Sequence, residues 1–114
     1  MRIRNIVWGV HELQPAIDFW TQALDYRLRE EPSEDWASLV PKDDRGGPTF
    51  ALMLTKSDKP HRHHLDFTVD DMDAEIERLA ALGAHLVPDW DYEDDADYVV
   101  LRDPDGNTFC LVGS

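Results

Sequence analysis

The stretch Asn5-Ile6-Val7-Trp8-Gly9-Val10 decides the fold once it is set above His64-Leu65-Asp66-Phe67-Thr68-Val69, 59 positions further on. Both segments place apolar residues at alternate positions: Ile6, Trp8 and Val10 in one, Leu65, Phe67 and Val69 in the other. That is the period of a strand with one buried face. At the same offset Leu13 meets Met72, Ile17 meets Ile76 and Trp20 meets Leu79, the i, i+4, i+7 stripe of one helix face. Pro15 suits the first turn of the first helix. Asp70, Asp71 and Asp73 suit the start of the second, where the helix dipole favours negative charge. Gly83 suits its C-terminal stop.

Three short extended runs follow each helix, near Tyr26–Glu30, Trp36–Val40 and Phe50–Thr55, then near His85–Pro88, Tyr98–Arg102 and Thr108–Val112. Turn residues join the last pair in each half: Lys42-Asp43-Asp44-Arg45-Gly46-Gly47-Pro48 and Asp103-Pro104-Asp105-Gly106-Asn107. The halves meet at the polar connector Lys56-Ser57-Asp58-Lys59-Pro60. The chain therefore reads as a duplication, with βαβββ module one at 1–57 and module two at 61–114 of a single α+β domain. One face of each sheet takes a helix. The other must curl around something, which predicts a partly closed β-sheet barrel enclosing a cleft.

Bulk properties bound the function. The 114 residues suffice for one domain. No apolar run approaches a membrane span, and Met1-Arg2-Ile3-Arg4-Asn5 lacks the apolar stretch of a secretory signal. A formal charge of −13 opposes nucleic acid and anionic membranes, and favours solubility or a cationic ligand. The single cysteine, Cys110, has no internal disulfide partner and fits a reducing cytoplasm.

His64-Leu65-Asp66-Phe67-Thr68-Val69-Asp70-Asp71, then Leu82-Gly83-Ala84, then Leu101-Arg102-Asp103-Pro104-Asp105-Gly106-Asn107-Thr108-Phe109-Cys110-Leu111-Val112, resembles the vicinal oxygen chelate superfamily. That superfamily contains glyoxalases, extradiol dioxygenases, fosfomycin-modifying enzymes and bleomycin-resistance proteins. The resemblance spans essentially the whole chain and is most specific in the Asp-Pro-Asp-Gly-Asn turn. The most similar subgroup is the glyoxalase-like domains, with a His-x-Asp first strand and a Gly-Asn-x-Phe-Cys ending. It implies paired βαβββ modules and a homodimer. It also implies a divalent metal held by His, Glu or Gln from the first and last strands of each module.

Strand parity turns Asn5, Val7 and Gly9 toward the cleft, with His64, Asp66 and Thr68 in the fifth strand and Met53 and Cys110 in the two last strands. The family's four ligand positions thus fall on Asn5, Met53, His64 and Cys110. Only His64 is a usual ligand, since amide and thioether are poor donors for hard or borderline divalent ions. No metal cofactor is therefore expected; a zinc site could use His64 with Cys110 and Asp66, an unusual set that needs rearranged geometry. His61 and His63 read as connector and strand-edge residues, and His11 as a surface residue. His64 and Asp66 have the chemistry of a general acid–base pair or of a polar ligand contact; mutual hydrogen bonding on a polar pocket floor is the alternative. Trp8 and Trp20 read as packing residues. Trp36 and Trp90 are placed to stack on a flat ligand or to pack at a rim. Cys110 lacks a basic neighbour and reads as a buried thiol rather than a nucleophile.

The expectation is a cytoplasmic binder of a small organic molecule, contacted by Asn5, Val7, Trp36, Met53, His64, Asp66, Trp90 and Cys110. The alternative is a metal-dependent or His64/Asp66-dependent lyase, isomerase or dioxygenase.

Overall fold

The computed structural model describes residues 1–43 and 46–113. Asp44 and Arg45, in the turn expected over Lys42–Pro48, and the terminal Ser114 lie outside the described residues. The chain divides into two compact units, Asn5–His64 and a second unit formed by Met1–Arg4 with the chain from Leu65 on.

The first unit contains Asn5–Val10 of β1 (Arg2–Val10), α1 (Leu13–Leu24), β2 (Tyr26–Leu28), β3 (Trp36–Pro41) and β4 (Thr49–Leu54). Its strands are ordered β2-β3-β4-β1. β4 lies parallel to β1, with Val7 opposite Ala51, while β3 is antiparallel to β4 and β2 to β3. The second unit repeats this with β5 (His63–Val69), α2 (Met72–Ala81), β6 (His85–Leu86), β7 (Tyr98–Arg102) and β8 (Thr108–Gly113). Its order is β5-β8-β7-β6, with β8 parallel to β5 and Asp66 opposite Cys110. Each unit is thus the βαβββ arrangement read from the sequence, and the chain is α+β. β5 begins in the first unit with His63 and His64.

Alternation along the strands decides which face each helix covers. In the first unit Ala37, Leu39, Phe50 and Leu52 are buried with Ile17 of α1, and Ile6, Trp8, Val10, Leu13 and Trp20 pack around them. In the second, Val69, Leu101 and Leu111 are buried with Leu79 of α2 and Ala84, joined by Phe67, Met72, Ile76 and Phe109. Leu54, which alternates with Leu52, is nonetheless 39% exposed because it is the last residue of its strand. β2 and β6 are shorter than the runs read from sequence, ending before the charged Arg29-Glu30 and before Val87-Pro88.

The helix ends follow their residues. Asp71 caps α2 by accepting from the Ala74 amide at 3.1 Å. Beyond Leu82, Gly83 at φ 108° donates to the Ala80 carbonyl and Ala84 to that of Leu79, a Schellman closure. In the Asp-Pro-Asp-Gly-Asn turn, Asp103 Oδ1 accepts from the amides of Asn107 and Asp105 at 2.9 and 3.0 Å. These bonds, that of Asn107 first, hold the Asp103 carboxyl below its ordinary pKa.

A glycine locks the connector onto the first unit. A Cβ on Gly9 would lie 2.7 Å from Arg62 Cβ and 2.8 Å from the Arg62 carbonyl oxygen. At that close approach the Gly9 amide donates to Nδ1 of His63 at 3.2 Å, and the His63 ring stacks on Trp8 at 3.9 Å. Burial first, then the Arg62 charge, lower the His63 pKa below 6.5. An Nδ1 that accepts a hydrogen bond is also an unprotonated one.

Two outcomes follow from this lock. Gly9→Ala forces the Arg62 backbone aside and costs about 1–3 kcal/mol, a Tm fall of several degrees in a thermal melt. Gly113→Ala, with nothing within 4 Å of the added carbon, leaves Tm unchanged. The His63 pKa is lower folded than unfolded, so its stabilisation is complete above pH 6.5 and declines as pH falls from there to the folded value. Replacing His63 with Gln flattens that segment of the Tm-versus-pH curve; an unaltered slope would refute the assignment.

Candidate functional site

The helix-free sheet faces carry the polar chemistry. All three buried polar residues among those described, Asn5, Ser38 and Thr68, lie on these faces, whereas the helix-covered faces are apolar. No described buried side-chain nitrogen or oxygen lacks a hydrogen-bond partner.

In the first unit, Asn5 and Val7 of β1 point away from α1 with Ala51 and Met53 of β4 and with Trp36 and Ser38 of β3. Trp36 sits opposite Met53, and its indole N–H donates to Ser38 Oγ at 3.2 Å. The structure therefore gathers four of the nominated residues, Asn5, Val7, Trp36 and Met53, on one surface. Its floor at Val7 and Ala51 is fully buried. Arg62 fills the position above Gly9 on this same face.

His64 ends the first unit. Its Nδ1 lies 2.8 Å from the His61 carbonyl oxygen, which can only accept, so Nδ1 carries the proton and Nε2 is the basic nitrogen. The His61 ring stacks on that of His64 at 4.1 Å and 4°. His61 belongs to a short 3-10 turn, Pro60–Arg62, and so escapes the alternation rule that separates neighbouring strand residues. His63 instead faces Trp8, in keeping with a strand-edge residue. His11 stays exposed, with Nδ1 2.8 Å from the Thr55 carbonyl and Nε2 3.2 Å from Asp58.

In the second unit, Asp66, Thr68, Val100, Cys110 and Val112 share the face away from α2. The Arg4 guanidinium donates to Thr68 Oγ1 at 3.2 Å. Burial pushes the Cys110 thiol up to about 12, and the neighbouring Asp66 carboxylate adds to this by its charge and by accepting from the thiol. Cys110 is thus held as a neutral thiol, unsuited to nucleophilic attack near neutral pH. Trp90 is hydrogen-bonded to the Tyr98 hydroxyl, and burial raises the Tyr98 pKa above 10.0 while that bond opposes the rise. The acidic segment around Trp90 is further tied down where the Tyr92 hydroxyl accepts from the Val100 amide at 2.8 Å.

Sequence reasoning missed Tyr98, Ser38 and the His61 partner of His64. Tyr98 and Ser38 were recoverable from alternation, Ser38 lying two residues from Trp36 and Tyr98 two from Val100. His61 carried no signal of that kind. At the positions where the resemblance implies metal ligands, the first unit offers an amide, a thioether and an imidazole, and the second a thiol held protonated. This donor set does not fit the hard or borderline ion of the family's metal centres.

Several solved structures share the fold. One described as an NAD-dependent benzaldehyde dehydrogenase from Legionella pneumophila is 22% identical, covers 95% of this chain and 96% of its own, and has a TM-score of 0.70. A glyoxalase/bleomycin resistance protein/dioxygenase superfamily member from Vibrio splendidus is 14% identical over 98% and 99%, with a TM-score of 0.66. A variant methylmalonyl-CoA epimerase from Streptomyces coelicolor, in complex with 2-nitronate-propionyl-CoA, is 20% identical over 100% and 97%, also at 0.66. At these identities the likeness carries the fold and not the chemistry. No match was found among curated proteins. The model of the glyoxalase-like domain family matches residues 5–112, nearly the entire chain, and the protein belongs to that family.

Proposed function

We propose that the protein binds a small organic molecule against the helix-free faces of its sheets and does so without the family's metal. The observation that carries this reading is the segregation of polar groups: Asn5, Ser38, Asp66, Thr68 and Cys110 all lie on those faces. A sheet face that merely packs has no use for a carboxylate beside a buried thiol, whereas a binding surface uses a few placed polar groups on an apolar floor. Trp36 and Trp90 supply flat apolar area. Asp66 and the overall charge of −13 favour a ligand with a cationic or hydrogen-bond-donating group. Among the solved structures that share the fold, the Streptomyces coelicolor epimerase is in complex with a small organic ligand, 2-nitronate-propionyl-CoA. Among the described residues no helix is long and apolar enough to cross a membrane. The same reading takes residues 1–114 as one domain and the protein as a cytoplasmic homodimer.

Thermal-shift and calorimetric titration against a panel of cationic and aromatic compounds tests this. Saturable binding is expected, weakened about tenfold or more in Asp66→Ala, the loss of one charged hydrogen bond, and also weakened in Trp36→Ala. A panel without any saturable binder would remove the reading.

One observation favours an enzyme instead. The stacked His61 and His64 imidazoles bring together two nitrogen-bearing rings, with Nε2 as the basic nitrogen of His64. Such a pair can contribute imidazole donors to a softer ion such as zinc, or serve as a proton acceptor. Elemental analysis of the purified protein separates the readings. Stoichiometric zinc, nickel, manganese or iron that disappears in His64→Ala would replace metal-free binding by a metal enzyme; less than about one-tenth equivalent in both proteins is the expected result.

A further inference from the structure

We propose that the protein has a second small-molecule site, an aromatic-walled pocket on the helix-covered side of the first unit that takes a neutral, planar, two-ring aromatic molecule. The pocket encloses about 320 Å³ and opens beside α1, on the face opposite the one carrying Asn5, Met53 and Trp36. It is independent of the function proposed above, because every residue lining it points the other way or lies on α1, β2 or the loop before β4.

The pocket exists because large rings hold the helix off the sheet. Where Ile17 meets Ala37, Leu39 and Leu52, helix and sheet close completely. One turn further on, Trp20 of α1 meets Trp8 of β1 edge to face, with centroids 6.2 Å apart at 77°, and meets Phe50 of β4 at 5.0 Å and 62°. Trp8 and Phe50 are themselves tilted by 38°. Rings set at these angles cannot fill the space between them, and they leave faces and edges turned into it. Interiors close such gaps when they can, because every lining atom without a neighbour forfeits dispersion contacts. A pocket walled by apolar rings in this way offers an apolar guest the contacts that the protein leaves unmade.

The lining also states what the guest is. Besides the three rings it consists of Ile6, Leu24 and Tyr26, with Pro48. The one hydroxyl, of Tyr26, is committed to the Pro48 carbonyl at 3.0 Å. Among the described residues no charged side chain lines the walls, so there an ionic ligand would lose its hydration without recompense. The volume lies at the small end of ligand sites, where roughly 300 Å³ is the lower bound. Flat walls at steep angles suit offset and edge-to-face packing against a flat guest better than a branched aliphatic one.

Naphthalene is the probe, and the four tryptophan indole N–H signals of the nitrogen-15-labelled protein are the readout. Saturable shifts of the Trp8 and Trp20 signals are expected, with Trp36 and Trp90 unmoved and a Kd on the order of 100 µM for so small a ligand. Trp20→Ala should weaken binding at least about tenfold. Leu24→Asp, at a position already 39% exposed and so tolerant of a polar side chain, should do the same. Asp66→Ala should change nothing here, so failure of this site and failure of the helix-free face read separately. The proposal is overturned by shifts confined to Trp36 or Trp90, by shifts without saturation, or by Trp8 and Trp20 signals that move with protein concentration alone. The last result would make a second copy of the chain the occupant.

Discussion

A strand sends successive side chains to opposite faces, and each four-stranded sheet here has one helix to cover only one of them. Everything else about the chemistry follows from that shortage. The covered face is selected for volume: Leu39, Phe50 and Leu52 against Ile17, and Val69, Leu101 and Leu111 against Leu79. The uncovered face is released from that demand, and it holds the amide, hydroxyl, carboxylate and thiol groups. The parallel pairing of β1 with β4 and of β5 with β8 sharpens the division, because it puts the first and last strands of each module side by side. Asp66 and Cys110 lie 44 residues apart in the chain and become direct neighbours through that register alone.

Such neighbours alter one another. Burial opposes ionisation of the thiol, and the carboxylate beside it adds to this twice, by repelling the thiolate and by accepting a hydrogen bond from the thiol. The pair is therefore a donor and an acceptor rather than a nucleophile and its base. A basic residue in place of Asp66 would act in the opposite sense, stabilising the thiolate. The identity of one side chain on β5 thus fixes what its partner on β8 can do. The same reasoning applies to metal chemistry: thiol coordination requires the proton to leave, and Asp66 makes that loss harder.

Much of this was legible in the residues. Alternation at Ile6, Trp8 and Val10, the helical stripe of Leu13, Ile17 and Trp20, the cap at Asp71 and the stop at Gly83 are all local, so the sequence displays them directly. Of the candidate site, parity alone places Asn5, Val7, Met53, Asp66 and Cys110 on the helix-free faces. The remainder depends on contacts that no local pattern encodes. β1 begins at Arg2 rather than Asn5, because its first residues, Arg2-Ile3-Arg4, are exposed and give no burial rhythm. The His63 imidazole finds Trp8 and the Gly9 amide 54 residues back, through a close approach only glycine allows. His61 stacks on His64 because a turn reverses the chain there, and parity arguments end where the strand does. Trp8 and Trp20 do pack as expected, yet the gap their rings enclose depends on interplanar angles, which are properties of packing and not of composition.

Membership of the glyoxalase-like domain family leaves the choice between binder and enzyme to the site, since one fold hosts unrelated chemistries. Here the ligand positions themselves weigh on that choice. A divalent-metal enzyme needs several deprotonated or strongly basic donors converging, and of Asn5, Met53, His64 and Cys110 only His64 qualifies without rearrangement. A binder needs the reverse: neutral donors and acceptors of modest strength that desolvate cheaply and impose orientation. Amide, thioether and neutral thiol are groups of that kind, and a single carboxylate, Asp66, supplies the polarity that selects a partner. The groups that make a poor ligand set for a divalent metal are thus groups that the proposed metal-free surface can use.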